Sequence, residues 1–93
     1  MTDWIWVFHG EGAMFSTAVF TDLKKAEMWI KKHSLSGVLT RMPLNQGVYD
    51  WATETNMFTP KSELQQTPTF IQRFTSAYLQ HFHYENGKGE EED

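Results

Sequence analysis

Four side chains carry most of the chemistry in this sequence: His9, Glu11, His81 and His83. Imidazoles and carboxylates ligate divalent cations, and His81-x-His83 on a β-strand would aim both rings at one face, at a spacing that suits two ligands on one metal ion such as zinc. His9 closes an apolar run and Glu11 follows it, so the set would reach three or four ligands if the first and last strands were neighbours. On a helix the two C-terminal histidines would diverge and the chelate would fail. Spacing alone, without Cys or a longer motif, is a weak metal signal, and hydrogen-bonded surface histidines explain the same residues. The expectation is therefore no cofactor, with a divalent metal as the alternative.

Other arrangements give less. Gly10-Glu11-Gly12 resembles the start of a phosphate-cradling loop only superficially, because Phe15 stands where the third glycine of GxGxxG belongs and the next segment reads as a strand. A tight hairpin turn explains these glycines better. Lys24, Lys25, Lys31 and Lys32 would form a basic helix face able to meet phosphates or an acidic protein, with Glu27 and Lys31 at i,i+4 spacing. No basic excess elsewhere supports nucleic-acid binding. Asp50 and Glu54 share a helical face, but capping by Asp50 and solvation of Glu54 account for them without acid/base work, and no nucleophile accompanies them. Nothing here identifies an enzyme. The remaining signal is aromatic: a small domain has difficulty burying so many rings, so Trp4, Trp6, Tyr49, Trp51 and Tyr78 are the candidates for a protein-binding or self-association surface.

The elements that must position these residues follow from periodicity. Trp4 to His9 alternates Trp4, Trp6 and Phe8 against Ile5, Val7 and His9, and since both faces are apolar an interior strand is expected. Gly10 to Ala13 turns the chain, and Phe15 to Phe20 returns as a second strand. Thr21-Asp22 starts a helix running to about His33, with Leu23, Ala26, Trp29, Ile30 and His33 on its apolar stripe. Gly37 permits a reversal into a third strand, Val38 to Met42, ended by Pro43. Beyond it, Val48-Tyr49 reads as a brief strand, Asp50 as the cap of a short helix from Trp51 to Thr55, and Asn56 as its left-handed end. Thr67-Pro68 starts a further helix to about Thr75. The run Tyr78 to Tyr84 fits either the continuation of that helix or a half-exposed strand, and its β-favouring aromatics favour the strand. The fold class is α+β: a small, mainly antiparallel sheet with a β-β-α-β core, one main helix across a face, short helices and a C-terminal strand.

The 93 residues allow one core, expected as a single compact domain over residues 1–86. Four Trp and seven Phe imply that large rings build it. The net charge of −4 is uneven: residues 1–86 carry seven Lys/Arg and eight Asp/Glu, whereas 87–93 carry one Lys and four acids. Residues 87–93 are thus expected as a flexible acidic tail. There is no Cys, which excludes disulfides and thiolate chemistry and fits a reducing compartment. No stretch has the ~18 apolar residues of a membrane span, and the first residues lack the layout of a secretory signal. Cytoplasmic residence is the expectation.

Six segments in order, WVFHGEGAMF (6–15), WIKKHSLSGVLT (29–40), GVYDWA (47–52), FTPK (58–61), PTFIQRFTSA (68–77) and HFHYENG (81–87), resemble a family of small, uncharacterised bacterial domains. The resemblance implies a bacterial, single-domain, cytosolic protein and supplies no catalytic residues. The favoured function is a non-catalytic interaction module that regulates or neutralises another protein, or self-associates as a homodimer. The alternative is a metal-binding or metal-dependent protein using His9, His81 and His83.

Overall fold

The computed structural model describes residues 3–90 and is α+β: five strands in one antiparallel sheet, with helices. The chain divides into two compact units, one holding residues 4–42 and 79–90, the other Asp3 with residues 43–78.

The first unit is built on β1 (Trp4–Gly10), which lies inside the sheet as its two apolar faces require. The strand order is β2-β1-β3-β4-β5, where β2 is Ala18–Phe20, β3 is Gly37–Pro43, β4 is His81–Glu85 and β5 is Lys88–Gly89. Trp6, Val7 and Phe8 pair with Phe20, Val19 and Ala18. The antiparallel sense of β1 and β3 is visible at both ends, where Leu44 N donates to Asp3 O (2.8 Å) and Glu11 N to Ser36 O (2.9 Å). On the other side of β3, Val38, Leu39 and Thr40 pair with His83, Phe82 and His81.

Helix α1 (Leu23–Lys32) packs its apolar stripe on this sheet. Ala26 and Ile30 are fully buried with Trp6, Phe8 and Leu39, and Phe20, Leu23, Trp29, Phe82 and Tyr84 pack around them. Leu39 pairs with Phe82 on one side, and the Trp6 ring stacks on Phe82 at 5.6 Å. Removing each such side chain from water is worth about 1.5–3 kcal/mol, so this cluster dominates the unit's stability. Asp22 caps the helix, its carboxylate accepting from Lys24 N at 2.8 Å. At the other end Leu35 N donates to Ile30 O and Ser34 N to Lys31 O, closing a Schellman turn with Ser34 at φ 53° where glycine is usual. His33, expected on the apolar stripe, is exposed and serves as the C-cap.

Gly37 does more than permit a reversal. With φ +155°, its Cα sits against β1, and a Cβ there would run into His9 O and lie 2.8 Å from Gly10 Cα. At Asn86-Gly87 both residues have positive φ, 51° and 84°, and the turn joins β4 to β5. A Cβ on Gly87 would meet Ser34 Cα at 3.1 Å and Lys31 Cα at 3.3 Å, so the turn is seated on the end of α1. The segment expected to loosen from Gly87 thus opens with a paired strand, and residues 91–93 lie outside the described residues.

In the second unit, α2 spans Val48–Glu54 and α3 spans Pro68–Gln72, with a 3-10 turn at Glu63–Gln66. Two expectations are corrected here. Val48-Tyr49 begins α2 instead of forming a strand, and Gly47, not Asp50, is its N-cap, which places Asp50 in the first turn. Tyr49 is better satisfied on a helix: its ring meets those of Phe58, Phe70 and Phe74, and its hydroxyl donates to Gln65 O at 2.8 Å. Phe58, Phe70 and Phe74 also contact one another, so four rings form a second core. Asn56 takes the left-handed conformation expected of it, and Thr67 caps α3, accepting from Phe70 N. Helix α3 stops at Gln72, short of Thr75, as Arg73 N and Phe74 N tighten onto Phe70 O and Ile71 O.

Candidate functional site

In the first unit α1 covers the face carrying Trp6, Phe8 and Phe82, so alternation sends His9, Val19, Val38, His81 and His83 to the other face. His9, Glu11, Val38, His83 and Glu85 line an open hollow of about 630 Å³ there. The sequence thus brought the right residues to one face, but the strand order separates them. β3 runs between β1 and β4, so His9 and His83 stand two strand spacings apart, about 9–10 Å between backbones. Among the described residues no group of three or more His, Asp or Glu is placed to hold a metal ion.

Each histidine has a local occupation. His9 Nε2 donates to Ala13 O at 2.7 Å, and Nδ1 lies 3.3 Å from Ser16 Oγ. Both ring nitrogens of His9 are therefore spent on pinning the loop between β1 and β2. His81 Nδ1 donates to Leu79 O at 2.8 Å, and its ring lies edge-on to His83, centroids 5.3 Å apart. His83 Nε2 is 3.7 Å from Glu90 Oε1, an exposed pair that contributes little. Glu11 is exposed at the turn. The Glu54 carboxylate accepts from Gln46 Nε2.

The five aromatic residues expected on an interaction surface divide. Trp6 and Trp51 are buried at 8 % exposure each and offer a partner almost nothing. Tyr49 is the hub of the second core. Trp4 is half-buried, with the Arg41 guanidinium 4.6 Å from its ring centroid. Only Tyr78, 71 % exposed, stands free for contact.

The residues that sequence reasoning missed are smaller. Met14 and Phe15 are 83 % and 73 % exposed, and Val19 is 62 % exposed. All three belong to β2 or the loop before it, and β2 is an edge of the sheet. A strand from Phe15 would place Phe15 and Val19 on one face, and periodicity does not say whether that face is covered. The strand begins only at Ala18: His9 ties the preceding loop at Ala13 and Ser16, Met14 and Phe15 are exposed, and Thr17 N still reaches Phe8 O at 3.0 Å. The signal available in the sequence was Ala18: a small residue between Thr17 and Val19 is a poor anchor for a long strand.

No described helix is long and apolar enough to cross a membrane. Residues 5–90 match the model of a family described as Domain of unknown function (DUF7710). No curated protein and no solved structure matches the chain.

Proposed function

The chain belongs to that family, and we propose that it is a non-catalytic protein-interaction module whose contact surface is the β2 edge of the sheet with the loop before it. The observation that carries this reading is the concentration of Met14, Phe15 and Val19, three strongly exposed apolar side chains within six residues, at a sheet edge. Burying an exposed side chain of this kind is worth about 1.5–3 kcal/mol, and an edge strand adds backbone donors and acceptors for a partner strand. Short edge strands resist such pairing, and β2 has three residues, so the exposed apolar side chains carry more of the contact than the backbone does. Here Thr17 to Phe20 carries no charge. The absence of Cys suits a reducing setting, and the proposal sets the module in the cytoplasm of a bacterium, acting on another protein or on a second copy of itself.

The test is site-directed photocrosslinking with a photoreactive residue at position 15, against the same residue at exposed position 72, combined with sedimentation velocity across a concentration series. A discrete, saturable adduct from position 15 alone, or self-association lost in Phe15→Glu/Val19→Glu, is the expected result. A monomer at every concentration with no adduct from position 15 would overturn the proposal.

A further inference from the structure

We infer that the solvent face of α1 docks an acidic segment of a partner protein, on residues different from those of the β2 edge. At 100° per residue, Lys24, Lys25, Met28, Lys31 and Lys32 fall within an arc of about 120° of this helix. All five are exposed, and Met28, 70 % exposed, sits at the centre of the arc. Among the described residues none of the four ammonium groups has a carboxylate within ion-pair distance, and the Glu27–Lys31 pair that spacing predicts is not closed. Among the described residues the surface is thus a set of four lysines without a carboxylate partner around one adaptable apolar side chain, along a helix about 15 Å long.

Charge complementarity selects an anionic partner, and the surroundings select a protein. A nucleic-acid backbone extends in both directions and needs positive charge along its track. This patch is bounded instead by Asp22 at the start of α1 and by Glu27 on its flank. The cations are all lysines, which lack the forked guanidinium that grips phosphate, and Met28 offers no ring for a base to stack on. One methionine is too small an apolar face to enter a bilayer. An acidic segment with an apolar side chain between carboxylates uses every feature: carboxylates reach the lysines while the apolar group covers Met28.

The experiment is fluorescence anisotropy with the full chain and a fluorescein-labelled peptide of glutamates bearing one leucine per helical turn. Lys24→Glu/Lys31→Glu is compared with Lys61→Glu/Arg73→Glu, which makes the same change in net charge on the other unit. The first pair is expected to weaken binding about tenfold and the second less than about twofold. Lys24→Gln/Lys31→Gln should fall between wild type and the first reversal, and Met28→Ser should weaken binding at unchanged salt dependence. Far-ultraviolet circular dichroism establishes that each variant is folded. Absence of peptide binding, equal loss in both reversals, or tighter binding of oligothymidylate or phosphatidylserine vesicles through the same lysines would overturn the inference. So would peptide binding that emerges only when Glu91, Glu92 and Asp93 are replaced by serine, because the chain's own acidic end would then be the occupant.

Discussion

Replacing Gly37 by alanine tests the placement of β3 against β1, on which the separation of the histidines depends. Two costs add. The backbone at φ +155° is one that L-residues rarely adopt, worth about 1–3 kcal/mol. The new Cβ would also run into His9 O and crowd Gly10 Cα and Phe8 Cζ, and since two of these are backbone atoms, relief requires moving a central strand, about 1–3 kcal/mol more. Gly12 isolates the first cost: its φ is +77°, yet a Cβ there would find no atom within 4 Å. Gly12→Ala should therefore lose about 1–3 kcal/mol and Gly37→Ala, which carries both costs, about 2–6 kcal/mol. For a domain of this size, with total stability of about 5–14 kcal/mol, the second is a large fraction. Equilibrium urea unfolding followed by tryptophan fluorescence reads the difference. At a slope of about 1–3 kcal/mol per molar, the midpoint of Gly37→Ala should fall by at least about 0.7 M below wild type, about twice the fall of Gly12→Ala. Equal losses from the two substitutions would refute the close approach of β3 to β1.

Trp6→Ala should cost about 3–5 kcal/mol by opening a cavity between Phe8 and Phe82, whereas exposed Tyr78→Ala should stay within about 0.5 kcal/mol; thermal unfolding separates them. Ser34→Gly relieves a left-handed residue at the end of α1 and is expected to stabilise by about 1 kcal/mol, raising Tm by about 4–8 °C in calorimetry. Asp22→Ala removes the cap bond to Lys24 N and should lower stability by about 1 kcal/mol, with faster amide exchange in the first turn of α1. Phe15→Glu should leave the urea midpoint unchanged, since the side chain is largely in water already.

Local chemistry accounts for most of the elements that were legible in advance. β1 reads as an interior strand because both of its faces are apolar, and it is one. Asp22 and Thr67-Pro68 announce helix starts because unpaired amides need acceptors, and both cap as expected. The alternation of His81 to Tyr84 marks a half-exposed strand, and β4 has that burial pattern. Where local signals competed, they misled. Tyr49 has strand propensity, yet three phenylalanines distant in sequence draw its ring into a core that only a helix can present. Phe15 has β-favouring neighbours, yet it lies in a loop that His9 ties at Ala13 and Ser16, and the strand starts at Ala18.

The candidate site divides along the same line. That His9, His81 and His83 share a face follows from the two-residue period of strands, a property of the chain itself, and so does the lysine arc of α1, which a helical period makes inevitable. Which strand lies between those histidines is a long-range pairing. Local sequence does not encode it, because it is settled by the competition among Trp6, Phe8, Leu39 and Phe82 for one buried layer beneath α1. Burial likewise decided which aromatic residues a partner could touch: it took Trp6 and Trp51 into the interior and left Met14, Phe15 and Val19 in water at the β2 edge. Side-chain type was written in the sequence; accessibility and distance were created only when the strands chose their neighbours.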